Sequence, residues 1–178
     1  MERIALSDTD HIYFSKAWEL YEASFPKEER RTITGQNRIF GLEPYHFEVI
    51  VMGDAMVGLL LWWGFKEFVF IEHFATMPNV RGKGYGGKIL GEFLEAQNRR
   101  VVLEVEPPED DLKKRRIAFY QKLGFVFNPH FYKQPPMQKG CGPLQLYLMS
   151  WPTEITKESV DLFQGNYHPL IYDQEALS

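Results

Sequence analysis

The sequence predicts an α+β (mixed α/β) fold, with helices flanking a central, mostly antiparallel sheet that contains one parallel, splayed pair of strands. Three observations carry this reading. Residues 46–52, 56–64 and 68–76 are successive apolar, β-branched and aromatic runs, joined by Gly53-Asp54 and by a bend at Lys66-Glu67, as in an antiparallel meander. The glycine-rich stretch 82–87 then opens a helical stripe of Ile89, Leu90, Phe93 and Leu94. A further apolar strand, 101–106, follows that helix, and a right-handed crossover pairs it parallel to the strand ending at Thr76. Hairpin order of this kind does not fit a strictly alternating βαβ fold. Two parallel neighbours can splay apart beyond the loop and leave a slot for a ligand.

Taken in order, Ser7, Asp8, Thr9 and Asp10 offer caps for a first helix, in which Phe14, Trp18, Tyr21 and Phe25 recur at helical spacing until Pro26. The charge run Lys27-Glu28-Glu29-Arg30-Arg31 reads as a solvated helix end, and a short helix through 37–40 closes at Gly41. After the meander, the helix 84–98 ends in Arg99 and Arg100, which suit the negative pole of its dipole. Pro107-Pro108 stop the strand that follows. Glu109, Asp110 and Asp111 begin the next helix, and Gly124 closes it as the C′ residue. A strand starts at 125 and is broken by Pro129; 131–136 reads as loop, 140–143 as a turn cluster, and 144–151 as the last strand. Thr156 caps a short helix ended by Gly165, and 168–172 is apolar enough to dock on the chain's own domain or on a second subunit. The domain is expected to span 1–151, with 152–178 as a C-terminal extension that leaves a homodimer open.

Composition narrows the function. A chain of 178 residues is most simply one domain with a full core. A net charge of −4 does not suit broad binding to nucleic acid or to anionic membranes. The longest apolar run, 55–65, is too short to span a bilayer. The N-terminus shows no signal-peptide pattern, so a cytoplasmic location is expected. Cys141 is the single cysteine, which excludes an intramolecular disulfide. The five histidines lack ligand-like spacing, and no metal is expected.

The loop between strand and helix favours a phosphate-bearing ligand, because glycines allow close backbone approach and helix N-termini attract anions. Three patterns overlap there. Gly82-Lys83-Gly84-Tyr85-Gly86-Gly87 matches the dinucleotide fingerprint, with Glu104 downstream as a ribose acid. Residues 82–88 match a P-loop, but Ile89 stands where a Ser or Thr would hold magnesium. The third pattern is Arg81-x-x-Gly84-x-Gly86, preceded by Ala75-Thr76-Met77-Pro78. Residues 78–81 separate strand from first glycine, which departs from the dinucleotide arrangement.

The third pattern resembles the acetyl-CoA pyrophosphate loop of the GNAT superfamily of acyl-CoA N-acyltransferases. Tyr120-x-x-x-Gly124-Phe125 resembles that family's second signature, one strand after the first. The likeness covers about 7–151. Many family members carry Asn early in this second helix, near Lys113 here, so any phosphate contact would fall to Lys113, Lys114, Arg115 or Arg116. The resemblance implies a GNAT fold, acetyl-CoA as co-substrate, and a small-molecule or peptide amine as acceptor. It implies that Phe74, Ala75, Thr76, Arg81, Gly82, Lys83, Gly84, Tyr85 and Gly86 bind the cofactor. A backbone N–H near 74–76, freed at a bulge, would face the oxyanion. Tyr120 would protonate the leaving thiolate.

An amine with a pKa near 10 must lose a proton before it attacks a thioester, so a base is needed. Glu72 is the candidate, with Glu104 and Glu106 on the neighbouring strand as alternates. A CoA-binding sensor without turnover is the other reading of the same fold. The acceptor is not legible, since acceptor contacts come from variable loops.

Overall fold

A computed structural model describes residues 1–172. Its sheet has seven strands in the order β1-β2-β3-β4-β5-β7-β6. These are β1 (Glu2–Leu6), β2 (Tyr45–Met52), β3 (Ala55–Gly64), β4 (Phe68–Thr76), β5 (Arg100–Val105), β6 (Val126–Gln134) and β7 (Leu144–Trp151). All neighbouring pairs are antiparallel except β4 and β5. The helices are α1 (Phe14–Ser24), α2 (Ile33–Ile39), α3 (Tyr85–Glu95), α4 (Asp111–Lys122), α5 (Lys157–Asn166) and α6 (His168–Tyr172). The mixed sheet with one parallel central pair is the predicted architecture.

Side-chain alternation divides the core between the two faces of the sheet. Val49, Val51, Leu59, Leu61 and Trp63 pack with α1, α2, α5 and α6, while Ile50 and Leu60 pack with α3 and α4. Gly58 on β3 is required by close approach, since a Cβ there would lie 2.7 Å from the Ala75 carbonyl oxygen. Asp110 accepts from the Lys113 amide and Thr156 from the Ser159 amide, so α4 and α5 begin at the side chains suited to cap them. Gly124 takes a φ of +89° just past α4, as a C′ residue should.

Several local expectations differ from the structure, among them α2, which starts at Ile33 rather than 37, and α3, which ends at Glu95 rather than 98. β1 has no counterpart in the sequence pattern, because an edge strand with Leu6 as its only buried residue shows no alternation. The first helix starts at Phe14, since Ser7 and the Asp10 amide both bond to Asp8 and close a turn instead. β6 runs through Pro129 to Gln134, because the proline falls at a register shift between Asn128 and Tyr132 on an edge strand. Gly165 lies inside α5 rather than ending it. Of the extension 152–178, the part after Tyr172 lies outside the described residues.

The feature that makes a site is the parting of β4 from β5. Their register runs from Phe68↔Arg100 to Ile71↔Leu103 and then stops, while β4 continues to Thr76. Across β3, Leu61 faces His73 and Trp62 faces Ile71, so Glu72 is the extra residue of a bulge. Residues 73–76 therefore have β3 on one side and, among the described residues, no strand on the other. Among the described residues, no helix is long and apolar enough to cross a membrane.

Candidate active site

A cleft of about 820 Å³ opens where the two strands part. Its walls are the end of β4, the loop into α3, the end of β5, and α4, with Phe25 and Glu29 from the segment after α1. The cleft gathers Glu72, Phe74, Ala75, Thr76, Arg81, Gly82, Gly84, Tyr85, Gly86 and Tyr120, which the sequence singled out. Lys83 is not among the lining residues; it is exposed. Gly87, Arg116, Phe119 and Gln134 join the lining.

The loop end of the cleft is built from backbone. Pro78–Val80 form one 3-10 turn, and Gly82 and Gly84 adopt φ of +73° and +82°, which side-chain-bearing residues seldom do. Gly84 is the N-cap of α3, and among the described residues no side chain caps that end. The first amides of α3 thus face the cleft without an intrahelical partner, a setting that suits an anion. Arg81 Nε donates to the Thr76 carbonyl at 3.1 Å and fastens the loop to the strand end. Lys113 lies 3.1 Å from Glu109 and 3.9 Å from both Glu106 and Asp110, so acidic neighbours already hold its ammonium.

The other end carries the titratable groups. The Glu72 side chain is fully buried and its Oε1 lies 2.6 Å from Arg31 Nη2. The contact is a buried ion pair, with His73 Nδ1 3.8 Å from the other Glu72 oxygen. Burial alone would raise the Glu72 pKa, but Arg31 and His73 outweigh it and bring the value down to about 2. A carboxylate held there takes up a proton poorly at neutral pH. Arg31 is itself 5 % exposed, so the charge run 27–31 is not simply a solvated helix end.

Glu104 behaves in the opposite way. Burial pushes its pKa up to about 8, aided by the negative charges of Glu72 and Glu29 and opposed by hydrogen bonds from Tyr132 and Tyr172. Two carboxylates in one cleft are thus driven apart, one fixed as an anion and one poised near neutrality. Glu106, the third candidate, is engaged by Arg116 and Lys113. Tyr120 is 8 % exposed, and burial raises its hydroxyl to about 12, so it stays a hydrogen-bond donor at working pH. The expected bulge is present but at Glu72, before 74–76 rather than within it. Among the described residues, no group of three or more His, Cys, Asp or Glu is placed to hold a metal.

Arg31 is a site residue that the sequence did not mark, and Gln134 stood only within the Tyr132-x-Gln134-Pro135-Pro136 arrangement, with no role of its own. The only signal for Arg31 was its place in a charge run, which usually means solvent. Gln134 is 2 % exposed, lines the cleft, and its Oε1 has no partner among the described residues. The reading of 131–136 as loop hid it.

Comparison with known proteins bears on the family and the fold. A family model described as an acetyltransferase (GNAT) domain matches residues 43–127. YjbC of Bacillus subtilis (strain 168), a candidate acetyltransferase, is 36% identical over 69 residues, which are 38% of this chain and 35% of that protein. The match thus spans about a third of that relative's length. A solved GNAT-family structure from Bacteroides thetaiotaomicron is 32% identical with a TM-score of 0.90, covering 97% of this chain and 98% of that one. A Bacillus subtilis acetyltransferase solved in complex with CoA has a TM-score of 0.56 at 15% identity, covering 84% of this chain and 96% of that one. That last likeness concerns the fold alone. The family signatures in the loop and in α4, together with the full-length match at 32% identity, place this chain in the GNAT family of acetyltransferases.

Proposed function

We propose that this protein transfers an acetyl group from acetyl-CoA to a primary amine by direct attack. The observation that carries the reading is the cleft at the β4–β5 parting, with uncapped helix amides at one end and Glu104 and Tyr120 among its walls. In this reading the amides after Gly84, with Gly82, Tyr85 and Gly86, hold the pyrophosphate, and Arg81 keeps the loop closed. The free edge over 73–76 accepts the extended arm of CoA as an added strand, the way open sheet edges take peptides. Backbone N–H groups of that edge face the oxyanion of the tetrahedral intermediate.

The base is Glu104 rather than Glu72. Glu104 takes the proton of the ammonium, the freed amine attacks the acetyl carbon, the C–S bond breaks to leave a thiolate, and the proton that the acylated nitrogen then sheds passes to that thiolate. Glu72 contributes a fixed negative charge that raises the proton affinity of Glu104. Tyr120 donates a hydrogen bond to the departing sulfur. With Tyr120 near 12 and a thiol near 8.5, full proton transfer is uphill, so the hydroxyl stabilises the thiolate without giving up its proton. Tyr120→Phe is therefore expected to lower turnover by about tenfold or less, below the usual range for acid–base help, with unchanged acetyl-CoA affinity. A pair of kinetic runs at varied acetyl-CoA checks this, and a variant as fast as wild type would leave Tyr120 a packing residue.

The reading as a whole is tested by ligand-dependent melting and by release of free CoA thiol across a panel of amines. Acetyl-CoA at 100 times its dissociation constant should stabilise the chain by about 2.7 kcal/mol. A melting temperature raised by NAD and unmoved by acetyl-CoA would overturn it. Stabilisation without thiol release for any amine would make the protein a CoA-binding module instead.

A further inference from the structure

The C-terminal extension reaches the site directly. Tyr172 on α6 donates its hydroxyl to Glu104 Oε1 at 2.7 Å, and Tyr132 on β6 donates to the same oxygen. The Tyr132 hydroxyl also lies 2.7 Å from His168 Nε2 at the start of α6. Arg31 Nη2, the partner of Glu72, bonds the Ile171 carbonyl at 2.6 Å, so the backbone of α6 is tied to the same floor. Tyr132, His168 and Tyr172 all lie outside the family-matched residues 43–127.

The proton count fixes how this cluster works. A tyrosine hydroxyl has one proton to give. If Tyr132 gives it to Glu104, its oxygen must receive from His168, which requires the proton on Nε2. Burial lowers the His168 pKa to about 4, so the ring is neutral at working pH and can hold that single tautomer. The ring stacks edge-on against Tyr132, Phe163 and Tyr172, which fixes its plane. The result is two O–H donors aimed at one carboxylate oxygen.

We propose that α6 is a working part of the active site, in which Tyr172, and Tyr132 held by His168, are positioning residues that orient Glu104 and favour the anion that accepts the amine's proton. This rests on the reading of Glu104 as the proton acceptor. Among the described residues, the charged and titratable groups facing Glu104 are Glu72 from β4, Glu29 from the turn after α1, Tyr132 from β6, and Tyr172 and His168 from α6. Both glutamates disfavour the anion, so the two hydroxyls are what support it. The tyrosines keep their protons throughout.

The test is a carboxyl ¹³C NMR titration of the full-length protein with labelled glutamate, the Glu104 signal being assigned by its loss in Glu104→Gln. Tyr172→Phe and Tyr132→Phe should each raise the midpoint by about one pH unit, the worth of one hydrogen bond to a charged group. The acid limb of the acetyl-transfer pH profile should move by the same amount, about tenfold in rate at neutral pH, with the KM for acetyl-CoA unchanged. His168→Gln should shift both in the same direction by less, which keeps the test open should a phenylalanine variant fail to fold. Midpoints that stay at the wild-type value, or midpoints that move while the rate profiles stay parallel, would overturn the inference. Wild type that acetylates no amine would instead overturn the transfer reading, and this inference with it.

Discussion

Glu104→Gln is expected to slow acetyl transfer by about 10² to 10⁴-fold near neutral pH, the usual worth of a positioned proton acceptor. The deficit should narrow as pH rises. The wild-type rate climbs through about pH 8, where Glu104 ionises. The variant depends on amine that is already deprotonated, and that fraction keeps growing toward a pKa near 10. The same substitution should change stability with a definite sign. The Glu104 pKa is raised from 4.5 to about 8 on folding, so between those values the folded chain holds a proton that the unfolded chain has released. The associated stability is complete at low pH and is lost as pH rises through about 8. Each pH unit crossed between the two values removes about 1.4 kcal/mol. Glutamine has no such loss, so Glu104→Gln should melt progressively higher than wild type from about pH 5 to about pH 9. Melting curves across pH, with rates on the same samples, check both effects. A rate deficit equal at every pH would remove Glu104 from the proton path.

Arg31→Met is expected to destabilise the fold by about 3–5 kcal/mol, because it strands Glu72 as a buried anion. The Glu72 side chain is fully buried and that of Arg31 is 4% exposed, so water cannot replace the lost partner. The variant also gives up the bond to the Ile171 carbonyl, which loosens α6 from the site. In wild type the Glu72 pKa is lowered from 4.5 to about 2, so its stabilisation is present above about 4.5 and is lost as pH falls through about 2. Without Arg31, burial dominates and drives the Glu72 pKa upward, so the variant's deficit should shrink as pH falls below neutral. Arg31→Met with Glu72→Gln should recover most of the loss, since no unpaired charge remains. Urea unfolding of both at two pH values is the measurement. A single variant as stable as wild type would show that the ion pair does not hold the floor of the cleft.

The sequence alone determined the elements whose signals are local. The three meander strands and the glycine loop depend on periodicity and short-range chemistry that neighbours in the chain supply, while the Tyr120 signature was legible through its resemblance to the family motif. Asp110 and Thr156 announce their helices because each caps an amide three residues on. The edges were less legible. β1 buries too little to alternate, and Pro129 looks like a stop until the register shift that accommodates it is seen.

What each carboxylate does was decided only by the tertiary structure. Glu72 and Glu104 lie on adjacent strands in similar apolar runs, and only His73 beside Glu72 separates them locally. Glu72 becomes a fixed anion because Arg31, 41 positions earlier by number, is buried against it. Glu104 rises toward neutrality because burial and the charges of Glu72 and Glu29 act on it, while hydroxyls from β6 and α6 hold it in place. Periodicity and caps are short-range and are written along the chain. Proton affinity is set by burial and by charge through space, which exist only once distant segments have packed together.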